Sequence, residues 1–227
     1  MQNRKPHMAA LHRRHILDAA TSVFADKGFD KASMDEIAQV AGYTKRTIYA
    51  YFPSKDSIQM TIVLEGFVAL RDRLRAVIDA DLAVTLTYRG LLDAALNEQT
   101  EQPYRTASML RFSAPPLPKD QAPTTEAGRD IARLVGMIMD VGVELDTLMI
   151  EVFEKGKQAG VVRTQIDARL AGMVVWAEIS AIANLLSHKA GHLLAELDLG
   201  EEAFRSLACD LILNGVLVDP PTQGDGK

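Results

Sequence analysis

The chain has one cysteine, Cys209, and one tryptophan in 227 residues. A lone thiol excludes an intramolecular disulfide, so packing alone must hold the fold, which agrees with a reducing cytoplasm. Cys209 lies inside an apolar helical pattern and reads as a buried structural thiol. No stretch approaches 18 uninterrupted apolar residues, and the N-terminus has no apolar signal region; membrane insertion and secretion are both disfavoured. Alternating runs bounded by turns are missing, so nothing reads as strand. Also missing are GxSxG, a P-loop, GxGxxG and HExxH, and the scattered Asp and Glu residues do not pair as acid and base. His188 and His192 are four apart, but with Glu196 as the only third candidate they read as surface histidines. The expectation is a protein that is not an enzyme and holds no metal or cofactor.

What is present suits a globular chain: 48% hydrophobic and 24% charged residues, enough for a substantial core. The net charge of −5 is unevenly spread. Residues 1–60 carry +3 and three histidines, whereas the remainder carries −8. Local sign governs attraction to phosphate, so a mildly basic head precedes an acidic body.

Helical periodicity runs almost throughout. The first helix is expected over 9–27, with Gly28 as its stop, after a flexible arm 1–8 whose Arg4 and Lys5 either reach a nucleic-acid groove or form a plain terminus. Further helices are expected over 54–79, 85–99, 104–113, 126–159, 167–189 and 201–216. Gly142 marks a kink or break in the longest. Four prolines make 114–125 a loop, and the tail 218–227 reads as disordered.

Residues 33–55, SMDEIAQVAGYTKRTIYAYFPSK, carry the most specific pattern. Ser33 and Glu36 have capping-box spacing, and Ile37, Ala38 and Ala41 give the short helix they open an apolar face. Gly42 permits a bend. Thr44 caps a second helix, with Ile48 and Phe52 inward and Lys45, Arg46, Thr47, Tyr49 and Tyr51 outward. Pro53 ends it, and Ser54 caps a helix that opens with Lys55. The unit reads as a helix-turn-helix whose second helix is too polar on one side to be buried. Lys45 and Arg46 can donate to guanine O6 and N7, and Thr47 can meet a base or a thymine methyl. The hydroxyls of Tyr49 and Tyr51 suit phosphate oxygens, as does Lys55 at a helix N-terminus.

The run Thr44–Lys55, with Ile16, Ala19, Ala20, Val23 and Phe24 before Gly28-Phe29, resembles the DNA-binding domain of the TetR family of transcriptional regulators over roughly residues 10–60. Arg46 departs from it, since many members carry Gly or another small residue there. The resemblance implies an all-α fold: a three-helix DNA-binding domain over 9–55, then a larger helical effector-binding and dimerisation domain over 56–217, about nine or ten helices in total. It further implies that Lys45, Arg46, Thr47 and Tyr49 lie near bases, and Ser33, Tyr51 and Lys55 on the backbone. The implied function is a cytoplasmic repressor, released from a palindromic double-stranded operator by a small, largely apolar ligand. A DNA-organising factor of the same fold with no effector is the alternative.

Specific reading by a helix-turn-helix usually needs two copies one DNA turn apart, so a homodimer interface belongs in the body. Small residues over 167–189, including Ala177 and Ala181, and the row Phe204, Leu207 and Leu211 suit a four-helix interface, or else ordinary intrachain core. For the effector, Met109, Phe112, Met137, Met149, Met173 and Trp176 supply adaptable apolar surface, and Glu144 and Glu178 could orient a ligand. The alternative is that the methionines fill core gaps and the carboxylates face solvent.

Overall fold

The computed structural model describes residues 4–112, 123–165, 167–188 and 194–218. Most of the proline-rich segment, His192 and the tail beyond residue 218 lie outside the described residues. Helices follow one another as α1 (Arg4–Lys27), α2 (Met34–Ala41), α3 (Lys45–Tyr51), α4 (Lys55–Asp79), α5 (Val84–Glu101), α6 (Pro103–Leu110), α7 (Glu126–Gln158), α8 (Ala168–His188) and α9 (Glu201–Val216). A helical turn at 194–196 precedes α9. The extended pairing among the described residues is one isolated antiparallel bridge, Val162 with Leu217. The fold is all-α.

Helix α6 ends at Leu110 rather than at 113, and two larger differences concern α1 and α7. Helix α1 begins at Arg4, so residues 4–8 are helical rather than part of an arm; Pro6 is tolerated because first-turn amides have no intrahelical acceptor. Helix α7 passes through Gly142 without a break. Its neighbours Val141 and Leu148 are buried, and packing outweighs the small helix penalty of one glycine.

The chain divides into two compact units: Met1–Phe67 with Tyr104–Asp140, and Val68–Pro103 with Val141–Lys227. Helices α4 and α7 contribute to both. In the first unit, Ile16, Ala20, Phe24, Ile37, Ile48, Phe52 and Ile58 form a core in which only Phe24 has any exposure, at 1%. These residues come from α1, α2, α3 and α4, so one cluster locks the short helices to the long ones. Phe24 meets Phe29 edge-on at 5.4 Å, and Tyr104 of α6 leans on Phe24 at 5.9 Å.

In the second unit α5 lies against α8 and α9, and α8 against α9. Buried Cys209 of α9 directs its thiol to Asp93 of α5 at 3.7 Å; burial first, then that carboxylate, raises the thiol pKa to about 11. It is a packing residue, not a reactive one. Tyr88 packs edge-on to Phe153 and donates its hydroxyl to the Val152 carbonyl at 3.0 Å. Gly156 sits where nothing larger fits: a Cβ there would lie 2.5 Å from Val162 Cγ2 and 2.8 Å from the Tyr88 hydroxyl. Val162 is fully buried and Tyr88 is anchored, so neither can yield cheaply. Gly156→Ala should therefore destabilise the protein by about 1–3 kcal/mol despite the better helix propensity of alanine. Denaturant unfolding measures this, and equal or greater stability would refute the close-packing argument.

Candidate nucleic-acid interface

The second helix of the helix-turn-helix is short, and its neighbours hold it in place. Ser33 caps α2 and accepts from the Glu36 amide at 3.3 Å, while the Glu36 carboxylate accepts from the Ser33 amide at 3.0 Å. Gly42 then takes left-handed geometry (φ 68°), where a side chain would be strained. Thr44 caps α3 by accepting from the Thr47 amide at 3.2 Å. Ile48 and Phe52, both fully buried, fix the rotation of α3 and turn the opposite side outward. Ser54 caps α4 by accepting from the Ser57 amide at 3.0 Å.

A second set of contacts comes from His12-Arg13-Arg14-His15 on α1. His12 Nδ1 lies 2.6 Å from the Tyr43 hydroxyl, and both His12 and His15 stack edge-on to that ring. Tyr43 immediately precedes the α3 cap. At the other end of α3, Arg13 donates to the Tyr51 carbonyl at 2.9 Å, and its guanidinium lies 4.1 Å above the Phe52 ring centroid. Burial lowers the Arg13 pKa from its ordinary value, opposed by the nearby Asp130 carboxylate; an arginine remains charged through such a shift. Thus α1 grips α3 at both ends. The sequence signal for this grip is the polar cluster interrupting the apolar stripe of α1.

The predicted DNA-facing residues separate into three groups. Arg46 and Tyr49 are exposed, Tyr49 at 45%, and neither has a hydrogen-bond partner among the described residues. Lys45 is exposed but tied to Asp35 of α2, its ammonium donating to the carboxylate at 2.8 Å. Thr44 is exposed and Thr47 half-buried, and their hydroxyls lie 2.8 Å apart. Ser33, Tyr51 and Lys55 are used within the protein. The Ser33 hydroxyl donates to Glu36 at 3.0 Å, and Glu36 also pairs with Lys27. Tyr51 is half-buried against the core instead of outward, with its ring 6.0 Å from that of His12. The Lys55 ammonium donates to the carbonyls of Phe29 (2.7 Å), Ala32 (2.8 Å) and Asp30 (3.4 Å), and lies 4.4 Å from the Phe29 ring centroid. It anchors the α1–α2 loop.

The pattern of bacterial regulatory proteins of the tetR family matches residues 16–58, which span this construction from the core of α1 to the start of α4. Residues 16–58 are a TetR-family regulatory-protein domain. Among its relatives, MftR of Mycobacterium tuberculosis, a mycofactocin biosynthesis transcriptional regulator by name, is 32% identical over 44% of this chain and 62% of its own length. The transcriptional repressor KstR2 of Rhodococcus jostii is 28% identical over 70% of this chain and 72% of that protein. The solved structure of the ketosteroid transcriptional regulator KstR2 of Mycobacterium tuberculosis is similar over 91% of this chain and 95% of that one, with a TM-score of 0.66 and 16% identity. That likeness covers both units and shows the fold. The helix-turn-helix of residues 16–58 is what the chain shares with these regulators.

The residues expected to line an effector site are divided between the two compact units. In the first unit Met109 is buried, with its Sδ where a side chain on Gly66 would stand, and the Phe112 ring lies 6.2 Å from that of Phe67. Met137 is exposed on α7. In the second unit Glu144 pairs with Arg71 at 2.9 Å, and Met149 packs close to Gly172. Met173, Trp176 and Glu178 lie on the open side of α8. A residue not anticipated is Glu98, 2% exposed on α5 and paired with Arg73 at 2.8 Å. Its spacing from Leu91 and Ala95 places it on the buried stripe, which was the available signal.

The expected dimer residues lie on two helices, α8 and α9, that pack against each other. Leu170, Met173, Val174, Ala177 and Ala181 are exposed along one stripe of α8, and Leu207 (52%) and Leu211 (65%) are exposed on α9, with Phe204 half-buried. The opposite side of α8, with Ala168, Ala171, Val175, Ile179 and Ala183, is buried within its own unit. Because it is apolar on both sides, α8 is long and apolar enough to cross a bilayer by length and composition, although the sequence contains no unbroken apolar run of that length.

Proposed function

We propose that the chain acts as a homodimer on a palindromic operator, with α3 of each subunit in the major groove, as a repressor released by a small, largely apolar ligand. The observation that carries the DNA part is the presentation of α3: buried Ile48 and Phe52 fix its back, and Arg46 and Tyr49 stand free in front. Arg46 can take a guanine through two parallel hydrogen bonds, with Lys45 and Thr47 beside it, and the Tyr49 hydroxyl suits a phosphate. Thr44 holds the helix end. Ser33 and Lys55 act through the frame, given the partners of their side chains. Tyr51 is engaged through its backbone carbonyl and ring, which leaves its hydroxyl for a phosphate.

The open apolar stripe on α8 and α9 supports the dimer. It suits close contact with a second copy in a four-helix arrangement, and Glu178 and Arg169 argue against lipid as the covering medium. For the effector, buried Glu98 with Arg73 offers an orienting polar pair in the second unit, where Met149 supplies adaptable apolar surface. Ligand binding that favours the DNA-free state must lower DNA affinity reciprocally. The name of the Rhodococcus relative supports repression, and the chain's composition supports a cytoplasmic setting.

Selection of bound sequences from random and genomic DNA tests this. The expected result is a short palindrome at few genomic sites, with half-sites one helical turn apart. Arg46→Ala should relax base preference at one position per half-site, costing about 1–3 kcal/mol there. Many sites without a shared palindrome would favour a DNA-organising role, and no DNA retention would refute the proposal.

A further inference from the structure

We infer that Asp35 is a specificity-determining residue of the DNA-reading head: it holds Lys45 across the helix-turn-helix and makes that contact conditional on the base pair met. This rests on the DNA-reading role proposed for α3. Two neighbouring cations open α3, and the structure treats them differently. Arg46 is exposed with no partner among the described residues, whereas the Lys45 ammonium is held by the Asp35 carboxylate at 2.8 Å. The pair joins α3 to α2 and stands in solvent, with 52% and 67% of the two side chains exposed. Asp35 is distinct from the other acid of this turn, because Glu36 is already used on Ser33 and Lys27.

An exposed ion pair is weak and opens readily when a better acceptor approaches. Hydrogen bonding to Asp35 raises the Lys45 pKa while the pair is closed, and a released lysine is charged at neutral pH by its ordinary basicity. On arbitrary DNA the exchange gains little. A phosphate attracts Lys45, but freeing Lys45 leaves the Asp35 carboxylate bare in the field of a polyanion. A G·C pair at the α3 N-terminus changes the balance: guanine O6 or N7 accepts from Lys45, and the cytosine N4 amine donates to Asp35. Each charge then has a partner. Asp35 thereby suppresses binding to DNA in general and favours half-sites with G·C at that step.

Equilibrium binding of the full-length protein to its selected operator and to an unrelated duplex, across a salt series, tests the inference. In Asp35→Asn, affinity for the unrelated duplex should rise about threefold to tenfold, and its salt slope should steepen by about one as Lys45 becomes available to phosphate. The operator-to-unrelated ratio should fall by a similar factor, and the G·C preference should relax. Asp35→Glu, which keeps the charge, should retain the ratio. Lys45→Met should abolish the steepening of the salt slope by Asp35→Asn, leaving only the gain from removing a bare carboxylate. A purely structural role for Asp35 would not move the salt slope. The inference is overturned if Asp35→Asn melts like the native protein with slope and ratio unchanged, or if the steepened slope persists in the Lys45→Met background. If the native protein selects a palindrome while either outcome holds, only the role of Asp35 falls; if it shows no sequence preference, the DNA-reading role falls as well.

Discussion

Leu211→Asp is expected to convert the protein to monomers at micromolar concentration and to weaken operator binding by about a hundredfold or more. Leu211 is the most exposed large apolar residue of α9, one turn from Leu207, and α9 packs against α8. At a two-fold interface the substitution occurs twice, and each new carboxylate must lose its water without gaining a partner, at a cost of several kcal/mol. A lone head reads only one half-site, so the loss of the partner appears directly in operator affinity. Because Leu211 is solvent-exposed in the single chain, the folded subunit should tolerate the change. Light scattering and operator titration measure the two effects. A stable dimer with native affinity would place the subunit contact elsewhere.

The second large effect is expected at Lys55, on stability more than on DNA. Its ammonium is shared among the carbonyls of Phe29, Asp30 and Ala32 and lies against the Phe29 ring. Lys55→Ala removes charge-assisted bonds from a half-buried loop and leaves carbonyls to find water, which should cost about 2–3 kcal/mol. Lys55→Met, which can keep the packing on Phe29 but not the bonds, should recover only part of this. The salt dependence of DNA binding by the residual folded protein should stay native, because the ammonium is not a phosphate contact. A lowered salt slope with unchanged stability would return Lys55 to the phosphate role that its place at a helix start suggests.

Lys55 shows where sequence reasoning stops. The spacing of Ser54, Lys55 and Ser57 identifies a capped helix start, and such an end attracts phosphate in general. Nothing in that spacing reveals that the α1–α2 loop brings three carbonyls to the same ammonium. Tyr51 is similar. Its position among polar residues suggested an outward ring, but α1 lies over that side and buries half of it. For the effector residues, chemistry was legible but location was not: Met137 and Met173 have the composition of a pocket and lie in the open.

By itself the sequence determined the all-α architecture, nearly every helix boundary, the capped helix-turn-helix and the basic head on an acidic chain. These features are local, set by periodicity, caps and breakers within a few residues. The tertiary structure alone decided which cations remain free to meet DNA. It left Arg46 open, tied Lys45 to Asp35 and turned Lys55 inward, because the partners come from helices and loops distant in sequence.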